Sequence, residues 1–501
     1  MTAAGDRRGQ RPSTARFTVI VAVSTLCLFV AAIPSDARTF VVGGDDFAEI
    51  QDAVDAAQSD DTILILPGTY GVPENGVQFG HKNLLVTSSG GAESTFIDLH
   101  GSDRGFLFNA HQDTTSIIEG LTLDASSSGY DRPDGMQCEN GSIKVRDCVF
   151  IDTSYGIYAD GGGRLVIERC LFSGRGRGFE AFGVGRVRVT GCLFTDTRTW
   201  GFCLWDGSYA LVRDCDFEGV GGEYAETGMR FTESGGEVAD CSITGFANGI
   251  DCDNGSSPEI ARCTVRDCAN LSEYASKQGG AVRCRAGSSP TFKDCAFIGN
   301  QAESGGGAYC GDGAQPLFEK CLFSDNYAQL WGGGLSCVSG GDATLRECVF
   351  SGNESHRGGA ILVNESSPTI ERCTMVLNSS HDAGGVSCMN VASPTVADCI
   401  IGFSKMGNAI FSQHSSPTTH NCVVYGNAAG DSLEGDHHDN VFSPPLFCDL
   451  AGGDYSLCAN SPCLPGNSGW PEIVGAYGRG CDECYPPPVI TSWGRLKAMY
   501  R

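Results

Sequence analysis

Basic residues are scarce in this 501-residue chain: 34 Lys and Arg stand against 60 Asp and Glu, for a formal net charge of −26. A surface this acidic repels nucleic acid and anionic membranes, so neither is an expected partner. Long amphipathic helical patterns are almost absent, which argues against α/β folds and helical solenoids. Only one apolar run is long, residues 17–32, and it is short for a full membrane span. No second such run occurs, so no membrane span is expected in the mature chain. The surroundings of that run fit an export signal. Arg7, Arg8, Arg11 and Arg16 precede it, and Ser35-Asp36-Ala37 offers small residues at a cleavage site. Residues 1–37 are therefore expected to be a signal peptide, sending the protein to an extracellular, periplasmic or cell-surface location. Cys27 has no lipobox-like neighbours, and Arg7-Arg8 lacks the hydrophobic residues that come after a twin-arginine pair, so general secretion is expected.

What the chain does have is a repeat. Val145-Arg-Asp-Cys148-Val-Phe150 returns as apolar, two residues, Cys, any residue, apolar, centred on Cys148, Cys170, Cys192, Cys215, Cys241, Cys263, Cys295, Cys321, Cys348, Cys373, Cys399 and Cys422. A steady short period built of apolar pieces marks a solenoid. Alternation along a strand puts Cys and the apolar residue two positions later on one inward face. A second inward position is expected eleven residues before these cysteines, at Cys252, Cys284, Cys310, Cys337 and Cys388, and at Ala159, Ala181, Leu204, Leu362 and Phe411. Gly turns precede it, and Ser-Pro corners at Pro258, Pro290, Pro368, Pro394 and Pro417 come after it. Short strands joined by tight corners, supported by 69 glycines, describe coils of a parallel β-helix. Removing Cys27 with the leader leaves an odd number of the 26 cysteines, hence at least one free thiol. Stacked, mostly reduced thiols acting as small hydrophobes are expected in preference to inter-rung disulfides, because stacked Cβ atoms point in parallel.

The expected fold is all-β: a right-handed parallel β-helix solenoid with an N-terminal helical cap and an irregular Cys-containing C-terminal cap. The cap and first strand occupy 38–70, with Phe47, Ile50, Val54 and Ala57 on one helical face and Asp45 or Asp46 as N-cap. Coils fill 71–445, weakly patterned at first. The C-terminal cap, 446–484, carries Cys448, Cys458, Cys463, Cys481 and Cys484. Disulfides are more plausible here than in the array, and Cys481-x-x-Cys484 also has zinc-ligand spacing. Residues 485–501 read as a Pro-rich linker and short basic tail.

These residues resemble a known group. Phe47…Ile50-Gln51…Val54…Ala57…Thr62-Ile63…Pro67-Gly-Thr-Tyr70 is similar to the N-terminal cap of the right-handed parallel β-helix, pectin-lyase-like superfamily of exported bacterial proteins. Gly279-Gly-Ala-Val282 and Gly358-Gly-Ala-Ile361, with Phe297…Asn300, Phe323…Asn326 and Phe350…Asn353, resemble polymorphic outer-membrane-protein repeats. The resemblance implies the handedness of the coil and, for enzymes of the group, a groove along the outside of one sheet. It identifies fold rather than reaction. The catalytic sets of polygalacturonases, pectate lyases and alginate epimerases are absent from this sequence. The residues after the last repeat are too few for a transmembrane barrel, so none is expected there.

Alternation picks out the residues that face this groove. Tyr158, Asp160, Phe182, Trp205, Arg285 and Tyr309 are the expected substrate-binding residues, since aromatic faces stack on sugars and charged groups hydrogen-bond them. Asp251, Asp253, Arg230, Arg283 and Glu180 are the candidates for acid–base chemistry. Asp251 and Asp253, two apart on one strand, could equally hold Ca²⁺, the one cofactor considered, or form a charge-compensated ladder with Arg230 and Arg283. Cys203 is one residue off the inward spacing and is expected to turn in. Arg164, Arg169, Arg175, Arg177, Arg186, Arg188 and Arg198 form a basic stretch, read as a solvated back face with acidic sugars as the alternative. These features support two functions: an exported or cell-surface β-helix binding polysaccharide or cell-surface glycan along an outward groove, with lyase or hydrolase chemistry left open, or a non-catalytic adhesion scaffold.

Overall fold

The computed structural model describes residues 37–484 except 130–131, 222–226, 272–275 and 468. The expected signal peptide (but for Ala37) and the expected Pro-rich linker and tail lie outside the described residues.

Two left-handed corners build each coil. The residue before every one of the twelve repeat cysteines has positive φ, from Asp147 (53°) to Asn421 (54°). Five residues later a second left-handed residue occurs in eleven of the twelve copies, such as Asp152 and Asp325, Gly219 being the exception. Asp, Asn and Gly tolerate this conformation best, and they precede the Cys in seven of the twelve copies. A three-residue strand is all that fits between two such corners. One coil therefore reads Arg164–Glu168, Leu171–Ser173 and Arg177–Phe182.

Stacking these coils gives three parallel sheets, called I, II and III here in chain order within a coil. Sheet I holds 17 strands and sheet II holds 15. Registers are direct, as in Val187↔Ala210 in sheet I, Phe194↔Phe217 in sheet II and Phe182↔Trp205 in sheet III. The described residues form a parallel β-solenoid of about 17 turns with one short helix.

Inside, like stacks on like. Phe150, Phe172, Phe194 and Phe217 form a column with ring centroids 4.8, 4.6 and 4.6 Å apart. The cysteines do more than fill space. Cys348 Sγ donates to the carbonyls of Phe318 (3.3 Å) and Arg346 (3.4 Å), while the N–H of Cys373 donates to Cys399 Sγ (3.3 Å). Each of the twelve repeat thiols thus donates to the carbonyl two residues before it, at the corner. All 21 free cysteines among the described residues are buried, the twelve repeat cysteines as the pattern implied.

Several expectations shift. The helix spans Ile50–Ala56, preceded by Glu49 with no side-chain cap, so neither Asp45 nor Asp46 caps it. Phe47 instead bridges Val42, because an earlier strand, Thr39–Val42, starts sheet I. Leu362 and Phe411 face outward: Val363 pairs in register with Cys337 and Cys388, and Phe411 pairs with Ser387. Those two coils place the inward residue ten, not eleven, positions before the repeat Cys. Cys203 also lies in the outward column, between Glu180 and Arg230, yet is fully buried.

The C-terminal segment carries disulfides Cys448–Cys481 and Cys458–Cys484, which engage both cysteines of the zinc-spaced pair. It packs Leu457, Cys463, Leu464 and Val474 against Ile400 and Val423 of sheet II, and Ala476 N–H donates to Thr374 Oγ1 (2.9 Å). Among the described residues no helix is long and apolar enough to cross a membrane.

Candidate functional site

The outer face of sheet III changes character along the stack. In the later coils Tyr309, Val338 and Leu362 are buried together on it, Tyr309 at 6% exposure with its hydroxyl accepting from Gln278 Nε2 (3.1 Å). Tyr309 is therefore not the open stacking surface the sequence suggested. In the earlier coils aromatic and charged side chains gather at the surface of this face, whereas in the later ones Tyr327 and Trp331 are exposed aromatics of the same sheet.

Local backbone geometry creates that surface. Strands Asp134–Glu139, Tyr155–Asp160, Arg177–Phe182 and Trp200–Trp205 each carry Gly at the second position. A Cβ on Gly156 would meet Phe172 at 2.4 Å, and one on Gly178 would meet Phe194 at 2.4 Å. The glycine backbone thus rests on the Phe column, and the next residue (Ile157, Phe179) is buried as well. Two successive inward residues break strict alternation. They leave a third outward column, Asp134, Tyr155, Arg177 and Trp200, three residues before the column expected from sequence.

The three columns interlock. Phe182 and Trp205 stack at 5.7 Å with their planes 1° apart, and Tyr158 lies 5.8 Å from Phe182. The guanidinium of Arg177 sits between the rings of Tyr155 (4.7 Å) and Trp200 (4.6 Å), and that of Arg230 lies over Trp205 (4.9 Å). Trp205 Nε1 donates to Glu180 Oε1 (2.8 Å), and Arg177 Nη1 donates to the Tyr155 hydroxyl. Tyr158, Phe182 and Trp205 stay partly exposed, and Asp160 is exposed.

Electrostatics divide the carboxyls into two sets. Asp251, fully buried, accepts both arms of Arg283 (2.8 and 2.6 Å), with Arg230 3.8 Å away. Burial pushes its pKa up, but Arg283, then Arg230 and Arg285, outweigh it and hold the carboxyl below its ordinary value. Asp253 pairs with Arg285 (2.8 Å) and Arg230 (3.9 Å). The Asp251/Asp253 pair is thus clamped by three guanidiniums, the charge-compensated arrangement. Glu180 and Asp134 behave oppositely. Burial raises Glu180 despite its bonds to Trp205 and Arg177. Asp134, absent from the sequence-based set, is pushed up to about 6 by burial, against the pull of Arg104. Burial also raises Cys203 well above a free thiol, which makes it a poor nucleophile.

Polar atoms on this face remain unanswered. Glu180, 3% exposed, has Oε2 without a hydrogen-bond partner, as do Arg177 Nε, Gln137 Oε1 and Arg104 Nε. Buried polar atoms are rarely orphaned in a native fold, and a cluster of them marks where a ligand or water completes the network.

The family described as "Right handed beta helix region" matches residues 134–301 and 280–444. Among solved structures the chain is similar to the A-module of a mannuronan C-5 epimerase from Azotobacter vinelandii, at 13% identity, covering 79% of this chain and 95% of that one, TM-score 0.34. It is similar also to a pectate lyase, at 13% identity, covering 88% and 96%, TM-score 0.27. A third is the catalytic unit of a thermostable α-1,3-glucanase from Streptomyces thermodiastaticus, at 12% identity, covering 82% and 70%, TM-score 0.29. No curated protein matches by sequence.

Proposed function

The chain belongs to the right handed beta helix family, and on that premise we propose that it binds polysaccharide along the outer face of sheet III, over the coils from Asp134 to Arg285. The observation that carries this reading is the aromatic ladder Tyr158–Phe182–Trp205, part exposed, with Glu180 Oε2 and Arg177 Nε beside it, an ion pair at 3.7 Å in which neither atom makes a hydrogen bond. Flat rings at that spacing match the apolar faces of successive sugars, and that donor and acceptor match their hydroxyls. Acid–base chemistry on this face falls to Asp134 and Glu180, whose carboxyls titrate upward, rather than to Asp251, which is committed to Arg283. The proposal includes export through residues 1–37, so that the glycan is met outside the cytoplasm.

Binding to a glycan panel tests it. Wild-type protein should retain one or more polysaccharides, and Trp205→Ala should weaken them by about 10-fold or more, the worth of one stacked aromatic. Unchanged binding by Trp205→Ala would place the ligand elsewhere. Incubation with uronate polymers, with and without Ca²⁺, and ultraviolet detection of unsaturated products separates a lyase from a binder. A non-catalytic scaffold is favoured by the clamped Asp251–Arg283 pair, and silence in both assays would select it.

A further inference from the structure

A cavity of about 360 Å³ opens at the corner between sheets II and III, where the groove begins. Arg132, Arg175, Arg177 and Arg198 line it with Ser154 and Thr199, and no carboxylate does. This is unexpected on a chain of net charge −26. The seven arginines of the basic stretch separate here: Arg164, Arg186 and Arg188 lie on sheet I, Arg169 pairs with Asp147, and Arg175, Arg177 and Arg198 converge with Arg132.

Acids pair with two of the four. Asp152 lies 3.8 Å from Arg132, and Glu180 lies 3.7 Å from Arg177. Among the described residues Arg175 and Arg198 have no ion pair. The corner is set by close backbone approach: a Cβ on Gly176 would lie 1.8 Å from the Thr153 carbonyl of the coil below, so only glycine fits between Arg175 and Arg177. Arg177, locked between two rings, belongs to both cavity and groove. Arg177 Nε makes no hydrogen bond, its ion-pair partner Glu180 Oε2 standing 3.7 Å away.

We infer that this arginine cavity is an oxyanion subsite, which takes the carboxylate or sulfate ester of an acidic polysaccharide whose sugar rings lie on the Phe182–Trp205 ladder. The inference rests on the polysaccharide reading above and names its substrate class. Guanidiniums present paired donors that match both planar carboxylates and tetrahedral sulfates, and four of them around one cavity supply more positive charge than a neutral sugar can use.

The test uses Arg175→Gln/Arg198→Gln, both exposed and outside the aromatic cluster, with polygalacturonate, dextran sulfate and unmodified dextran as probes. Wild type should bind at least one of the two acidic polymers more tightly than dextran, with an affinity that falls steeply with salt. The double variant should lose about 10-fold or more on that polymer and nothing on dextran. Preference for polygalacturonate assigns the carboxylate, and preference for dextran sulfate the sulfate ester. Equal binding of acidic polymers by wild type and double variant overturns the subsite while leaving the groove intact. Dextran binding alone does the same, whereas binding of no polymer, with the glycan panel also silent, removes the groove and the subsite with it.

Discussion

Asp251 and Arg283 show how a buried charge constrains its position in the sequence. Removing one partner strands the other in a dry site, so Asp251→Ala should cost about 3–5 kcal/mol in denaturant unfolding. Asp251→Leu/Arg283→Met, which removes both charges, should recover most of that loss. A double variant as unstable as Asp251→Ala would show that the pair matters by shape rather than charge. Asp134 gives a pH-dependent counterpart. Its pKa rises from an ordinary 3.8 to about 6 on folding, so the native state holds a proton that the unfolded chain releases first. Its stabilising contribution is complete below pH 3.8 and fades as pH rises through 6. Asp134→Asn should therefore flatten the fall in stability between about pH 4 and 6, gaining up to about 3 kcal/mol on wild type across that window. Parallel profiles for the two proteins would refute the shift. Asp134 could not be found by alternation, because Gly135 and Met136 both turn inward; its sequence signal was the X-Gly-apolar-X start shared with Tyr155, Arg177 and Trp200.

At the scale of an element, the corner between sheets II and III is where FxxN acquires its meaning. Asn300, Asn326, Asn353 and Asn378 are buried in a continuous ladder. Asn353 Nδ2 donates to the Phe323 carbonyl and to Asn378 Oδ1, both at 2.9 Å, and its own Oδ1 accepts from the N–H (3.1 Å) and Nδ2 (2.9 Å) of Asn326. Every amide position is used, so Asn353→Ala leaves donors and acceptors unpaired above and below. It should destabilise by about 2–4 kcal/mol, more than an equivalent truncation at a solvent-facing strand position. A loss below 1 kcal/mol by chemical denaturation would mean that water replaces the amide. The repeat spacing alone showed that Phe and Asn share a corner. That the Asn bonds run from rung to rung needed the coil pitch. The same limit explains Leu362 and Phe411, where one residue fewer in the coil reversed which side chain points inward.

Across the whole molecule, 19 thiols are shut inside the parallel stack, Cys203 is covered on its outer face, Cys463 is buried in the C-terminal segment, and two disulfides cross-link that segment internally. Burial pushes thiols such as Cys138, Cys252 and Cys310 well above the ordinary range, so folded protein should react negligibly with an aromatic disulfide reagent. Protein starting at residue 38 should expose 21 thiols once denatured, and rapid native labelling would contradict the stacked arrangement. Reduction should loosen only 446–484, read as protease cleavage confined there while the coils persist, because that segment alone is cross-linked. The division between sequence and structure comes from range. Repeat period, apolar alternation and corner residues are local, and they determined the parallel coil, its buried cysteine column and the aromatic residues of its outer face. The clamp on Asp251, the burial of Tyr309, the raised Asp134 carboxyl and the meeting of four arginines depend on which coil stacks on which. Only the tertiary structure decided them, since residues about 4.8 Å apart between rungs lie one full coil apart along the chain.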